Sequence, residues 1–229
     1  MLAVGDPNRV DTSSAAFRGR LLDGLAHSIA ERGYRATTVA DVVRNAKTSK
    51  RTFYDEFASK EECFVELLRS NNTDLIARIT AAVDPGATPD EQVRAAVGAY
   101  VEHITSRPAI TLSWIREAPA FGNLARPLNH RAMQQLTDML VGISVSPGFQ
   151  AARLGPITRP LALILLGGLR ELTALFVENG QDVGDIAEPA ITAARAILGL
   201  EPDQAGPSSH PRQRADGSGA ANGSTQARR

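Results

Sequence analysis

The stretch from Thr37 to Lys60, TTVADVVRNAKTSKRTFYDEFASK, constrains the fold more than any other part of the chain. It carries a helix start, a break and a second start in close succession. Thr38 is placed to cap a first short helix, and Asp41 three residues on completes a capping-box pattern. Val39, Val42 and Val43 form an apolar stripe at helical spacing. Ala46-Lys47-Thr48 is short and polar, which predicts a tight turn. A second helix is predicted from about Ser49 to Phe57, with Phe53 and Phe57 one turn apart on its inner face. Neither helix is long enough to be stable alone, so flanking helices must clamp the pair.

The outer face of the second helix is chemically distinct. Ser49, Lys50, Arg51, Thr52 and Tyr54 make it hydroxyl-rich, cationic and aromatic, the chemistry that grips phosphates and base edges. Ser59-Lys60-Glu61-Glu62 is a further capping-box pattern and opens another helix. Free amides at that start, with the Lys60 ammonium beside them, form a predicted phosphate seat.

These residues resemble the DNA-binding segment of the TetR family of bacterial regulators. The matching positions are Thr37-Thr38, Ser49-Lys50, Thr52-Phe53-Tyr54, Phe57 and Ser59-Lys60-Glu61. The resemblance is close from roughly Ala15 to Ser70 and rests beyond that on length and helical layout. One position departs from the family pattern: Lys47 stands in the turn where glycine is common, so a left-handed backbone costs more there. The resemblance implies an all-α fold of about nine helices, with an N-terminal three-helix DNA-binding domain and a C-terminal ligand-binding and dimerisation domain. The predicted DNA contacts are Thr37, Thr38, Lys47, Thr48, Ser49, Lys50, Arg51, Thr52, Tyr54 and Lys60. Repression of a palindromic operator, relieved by a small-molecule effector, is the family's habit and the function expected here.

The rest of the chain divides as follows. Residues 1–13 are polar and aperiodic and read as a loose arm, from which Arg9 is in reach of DNA; residues 14–75 hold the DNA-binding domain, with the helix-turn-helix at about 38–57. Its first helix is predicted over Ser14–Arg32 and closed by Gly33, with Arg18 and Arg20 near its start. Residues 76–200 form the second domain. Within it Thr88-Pro89-Asp90-Glu91 is a strong helix start. Arg107-Pro108 is a stop, followed by a short helix over Ala109–Glu117. Longer helices are predicted over Leu124–Ser144 and Ile157–Asn179, separated by a loop over Ser146–Gly155. Asp185 is placed to cap the last helix, ending at Leu198. Residues 201–229 are rich in Ser, Gly, Ala, Pro and Gln with almost no large apolar side chains, a composition that predicts disorder.

Charge is unevenly spread although the total is zero. Residues 1–60 carry ten Lys and Arg against seven Asp and Glu, while residues 61–200 carry eleven against fifteen. A basic head on an acidic body fits local nucleic-acid contact without general stickiness. Cys63 is the only cysteine, which excludes an internal disulfide and points to a reducing compartment; the family resemblance implies the cytoplasm of a bacterium, with association to the nucleoid. It reads as a small buried apolar residue. No secretion signal is visible, and the apolar run Leu161–Leu169 is half the length of a membrane span, so no membrane partner is expected. The Asn71-Asn72-Thr73 sequon carries no meaning in that setting.

An all-helical enzyme and a helical adaptor are the alternatives. No hydrolase elbow, phosphate-cradling loop, dinucleotide fingerprint or zinc-protease motif appears. The four histidines lack metal spacing, and a surface or core role is favoured for His103 and His130 over a meeting in the fold. No metal or cofactor is expected, and the chain reads as non-enzymatic. An adaptor has no need to present Lys50, Arg51, Thr52 and Tyr54 together.

The two C-terminal helices carry more apolar surface than one subunit can cover. Leu163, Leu166, Gly167, Arg170, Ala174, Ala190, Ala194 and Ile197 are the expected homodimer interface. A two-fold pair would set two reading helices in successive major grooves of a palindrome. The family resemblance also implies an enclosed ligand among the central helices. Tyr100, Trp114, Phe121, Met133, Leu165 and Phe149 are candidate lining, with Arg116, Asn129 and His130 as polar fixtures.

Overall fold

The computed structural model describes the backbone of residues 7–200 and the side chains of residues 15–200. The predicted tail and the first residues of the predicted arm lie outside that range, as does the side chain of Arg9. Ten α-helices run through the described residues, with no strand among them. They are α1 (Pro7–Ala36), α2 (Val39–Asn45), α3 (Lys50–Glu56), α4 (Lys60–Ala82), α5 (Pro89–Ser106), α6 (Pro108–Arg116), α7 (Arg126–Ile143), α8 (Pro147–Ala151), α9 (Arg159–Glu178) and α10 (Ala187–Leu198). The all-α expectation is met.

Most boundaries follow the capping chemistry. Thr38 and Thr88 each make both halves of a capping box, with Asp41 and Glu91 returning the bond to the cap amide. At Ser59 only half the box forms: its hydroxyl accepts from the Glu62 amide, but the Glu62 carboxylate reaches past the cap to the Ala58 amide at 2.7 Å. Three boundaries differ from expectation. The first helix starts at Pro7 rather than Ser14, and it runs to Ala36 with a break at Gly33, whose φ of 76° interrupts the helical path. Pro147 starts the short helix α8 inside the predicted loop. Asp182, not Asp185, supplies the side-chain cap near α10, accepting from the Gly184 amide ahead of a 3-10 turn over Val183–Ile186.

Three apolar clusters organise the chain. The first joins α1 to α4 and α6 around Leu21, Leu25, Val42, Phe53, Phe57 and Phe64. Phe53 and Phe57 are fully buried, so they act as core residues, and Cys63 beside Phe64 is buried as expected. Burial pushes the Cys63 thiol up to about 12, which keeps it a thiol at neutral pH. The second cluster packs α5 on α9 and α10, and the third packs α4 on α5 and α7.

The helix α9 requires two corrections. The first concerns length: as a whole helix it is long and apolar enough to cross a membrane, because apolar residues continue beyond the run ending at Leu169. The second concerns its faces. Ala174 is buried inside the chain, and so are Ala190 and Ala194 on α10. Leu166 and Arg170 are half-buried and line internal cavities. These five expected interface residues therefore face inward. Leu163 and Gly167 are exposed and Ile197 is half-buried. The exposed stripe runs through Ile164, 64% accessible, Gly167, Gly168 and Leu175 on α9, and through Pro189, Ala193 and Ala196 on α10.

Candidate nucleic-acid interface and enclosed cavity

The positions of α2 and α3 are set by α1. A methyl group at Gly24 would stand 2.6 Å from the Val42 carbonyl oxygen and 2.9 Å from the Ala46 amide, so only glycine allows α1 and α2 this close. The Asp41 carboxylate fixes the start of α2. It accepts from the Thr38 hydroxyl at 2.7 Å and the Thr38 amide at 2.9 Å, and it pairs with Arg44 and Arg32. Those Thr38 hydrogen bonds, with Arg44 and Arg32 adding to them, hold the Asp41 carboxyl well below its usual range. Lys47 takes the turn with a φ of 51°, the left-handed conformation its place in the turn required.

On α3, the Ser49 hydroxyl accepts from the Thr52 amide at 3.0 Å and shares a hydrogen bond with the Thr52 hydroxyl. With Phe53 and Phe57 turned into the core, the opposite face is forced outward. Tyr54 is 58% accessible, with its ring edge-on to Phe53 at 5.4 Å. Ser49, Lys50 and Arg51 are exposed, as is Lys47 in the turn before them, while Thr48 and Thr52 are half-buried. Among the described residues, Lys47, Lys50 and Arg51 pair with no carboxylate; Arg18, Arg32 and Arg44 all do. Arg18 also stacks over Phe57 and donates to the Glu56 carbonyl, so it serves as a clamp between α1 and α3.

Two expected contacts have internal partners. Thr37 is buried, and its hydroxyl donates to the Gly33 carbonyl at 2.8 Å. Lys60 is half-buried and donates to the carbonyls of Thr37, at 2.8 Å, and Tyr34, at 3.2 Å, with its ammonium 4.2 Å from the Tyr34 ring centre. Lys60 therefore bridges the end of α1 to the link that follows it: the Tyr34 carbonyl it reaches also accepts from the Thr37 amide at 3.2 Å, and the Thr37 carbonyl lies just beyond the last residue of α1. Thr38 stays exposed with its hydroxyl engaged by Asp41.

Two adjoining cavities lie behind this domain. One is a half-open pocket of about 100 Å³ between α5, α7, α9 and α10. Its wall is almost wholly apolar and includes Val97, Leu140, Phe149 and Leu165. The other, also half open and about 90 Å³, lies between α4, α5, α6, α7 and α9 and is more polar. Tyr100, Leu136, Leu166 and Leu169 border both. Tyr100 shares a 2.7 Å hydrogen bond with Thr173, and burial pushes its phenol up to about 12.

Of the expected lining, Tyr100, Trp114, Asn129 and Met133 border the polar cavity, and the Trp114 indole donates to Asn129 at 2.8 Å. Leu165 and Phe149 border the apolar one. Arg116 does not line either: it is drawn outward by Glu171 and Glu178, with contacts of 2.6–3.0 Å. Phe121 packs edge-on to Tyr34 and Phe64 in the first core cluster. His130 is exposed and borders neither cavity, whereas His103 is buried in the polar wall. Burial lowers the His103 pKa and keeps its imidazole neutral at pH 7. Sequence reasoning missed Asn71, Asn72, His103 and Arg170 as lining. A signal existed for Arg170, which shares the inward stripe of α9 with Leu166, Leu169 and Thr173. Among the described residues, no cluster of three or more His, Cys, Asp or Glu is placed to hold a metal.

The helix α6 connects the cavities to the DNA-facing domain. It places Thr111, Trp114 and Ile115 in the polar wall. At its end Glu117 accepts from Arg35 at 2.8 Å, and the turn that follows brings Phe121 onto Tyr34.

Residues 21–67 match the family model for bacterial regulatory proteins of the tetR family. The chain is 38% identical over 119 residues to the HTH-type transcriptional repressor KstR2 of Mycobacterium tuberculosis, a match covering 52% of this chain and 60% of that protein. It is 27% identical over 141 residues to the HTH-type transcriptional regulator BetI of Rhizobium meliloti, covering 60% and 70% respectively. The chain thus spans about three-fifths of the curated KstR2 relative's length. Among solved structures, FadR of Bacillus subtilis in complex with stearoyl-CoA shares the fold with a TM-score of 0.66 at 18% identity, over 80% of this chain and 98% of that one. A TetR-like regulator from Rhodococcus sp. RHA1 does so with a TM-score of 0.58 at 22% identity, over 80% and 96%.

Proposed function

We infer that this chain, which belongs to the TetR family of bacterial regulatory proteins, is a DNA-binding transcriptional repressor acting in the bacterial cytoplasm. One observation carries the reading: Lys47, Lys50, Arg51 and Tyr54 stand exposed on and beside α3, their cations free of carboxylate partners among the described residues. Exposed cations left unpaired at a helix that is braced from behind are available to phosphate oxygens, and Tyr54 and Ser49 to base edges. Reading too few base pairs alone, the domain works as one half of a homodimer. The exposed stripe of α9 and α10 supports that assembly, because Gly167 and Gly168 permit close approach while Ile164 and Leu175 supply apolar area. A second copy, not a lipid bilayer, is the partner assigned to this face.

Control follows from α6, which borders the polar cavity and touches α1. A small molecule that fills the cavity and prefers a displaced α6 shifts the spacing of the two reading helices and releases DNA. A preference of ten- to a hundredfold, about 1.4–2.8 kcal/mol, is enough to release a repressor of middling affinity. No catalytic step is assigned to the chain. A gel-shift titration on the DNA flanking its own gene tests the reading: saturable, salt-sensitive binding that survives competitor DNA supports it, and equal affinity for random DNA rejects it.

A further inference from the structure

The polar cavity holds more unmet polar groups than its own walls can satisfy. Arg170 is half-buried, makes one weak bond to the Ile115 carbonyl at 3.3 Å, and has no carboxylate within ion-pair distance among the described residues. Burial lowers its pKa. The Asn71 carbonyl oxygen and both nitrogens of His103 are buried without hydrogen-bond partners, with the Asp74 carboxylate 3.4 Å from His103 Nδ1. A half-buried cation with no carboxylate in contact is costly, although Glu171 lies near enough to act on it, and so is each unpaired polar atom beside it. Immediately beyond Tyr100, Leu136, Leu166 and Leu169 the second cavity is apolar on nearly all sides.

We propose that the two cavities together bind one amphiphilic monocarboxylate, its carboxylate on Arg170 and its apolar body in the space between α5, α7, α9 and α10. The proposal rests on the effector role inferred above and gives that effector a chemical class. The guanidinium selects a carboxylate over a neutral alcohol or amide because it offers a two-pronged, charge-assisted bond. The His103 imidazole stands on the same wall, where a ring N–H is a further donor to the head. The apolar compartment selects an aliphatic or fused-ring body and rejects polar substituents that would be left unpaired. Glu171 and Glu178 hold Arg116 outside, so Arg116 offers no competing cationic site in the cavity.

Trp114, the only tryptophan in the chain, borders the polar cavity and reports its occupation directly. Its fluorescence is followed while the full-length protein, without DNA, is titrated with laurate, dodecanol or lauroyl-CoA below their micellar concentrations. Saturable change with laurate, at least tenfold tighter than with dodecanol, is the expected result. Arg170→Gln should abolish that tenfold preference, and Arg170→Lys should retain most of it. Equal binding of laurate and dodecanol by the native chain overturns the proposal without recourse to any variant. Tighter binding of lauroyl-CoA than of laurate overturns it as well, since the thioester has lost the carboxylate that Arg170 is proposed to hold. DNA binding is measured separately with no ligand present, so loss of the carboxylate preference and loss of operator recognition are told apart.

Discussion

The ammonium of Lys60, at the start of α4, donates to the Thr37 carbonyl oxygen at 2.8 Å and so ties α4 to the link between α1 and α2. The same ammonium reaches the Tyr34 carbonyl and lies over its ring. Two charge-assisted bonds to partly buried carbonyls are together worth about 2 kcal/mol. Lys60→Met, which keeps the stem and removes the charge, is expected to lower the thermal midpoint by about 4–8 °C. Scanning calorimetry of the full chain checks this; an unchanged midpoint would return Lys60 to a purely external role.

Tyr54 is the reverse case, exposed and held only by its edge against Phe53. Tyr54→Ala is expected to weaken operator binding about tenfold, near 1.4 kcal/mol, with the melting midpoint essentially unchanged. Gel-shift titration and calorimetry on the same preparation separate the two effects.

Lys50 and Arg51 are expected to act through phosphate. Replacing either by Gln should weaken specific and random DNA alike and reduce the slope of log affinity against log salt by about one. Binding isotherms at several salt concentrations give that slope directly. A change confined to one base position would show base readout instead.

Gly24 and Asp41 control how the reading unit is seated. Gly24→Ala drives a methyl group into the Val42 carbonyl and the Ala46 amide and is expected to cost about 1–3 kcal/mol, measured by denaturant unfolding. Asp41 contributes through its depressed pKa. A carboxyl whose folded pKa lies below its unfolded value stabilises fully above the unfolded value, near 3.8, and that contribution is lost as pH falls through that value toward the lower folded one. The melting midpoint of the native chain should therefore drop more steeply below about pH 4 than that of Asp41→Asn.

How much of this was legible in the residues depends on the kind of signal. Caps are local chemistry, so Thr38, Ser49 and Thr88 located their helices well. The outward face of α3 was legible because Phe53 and Phe57 claim the inward one. Partners across the fold were not. Helical periodicity groups Arg170 with Leu166 and Leu169 but does not say that this stripe meets a cavity and not a second chain. Arg116 ends α6 and Phe121 follows it closely enough to suggest lining, yet Glu171, Glu178 and Tyr34, distant in sequence, decide where they go. Lys60 was assigned to phosphate by its place after α3, and the Tyr34 and Thr37 carbonyls that claim it lie 26 and 23 residues away in the sequence.

A hydroxyl-radical footprint of the full-length protein on the DNA beside its own gene tests the central claim most directly. The expected pattern is two protected half-sites related by a two-fold axis, with centres about 34–36 Å apart, both lost in Tyr54→Ala. Uniform protection that does not depend on sequence, or a pattern that Tyr54→Ala leaves intact, would contradict it.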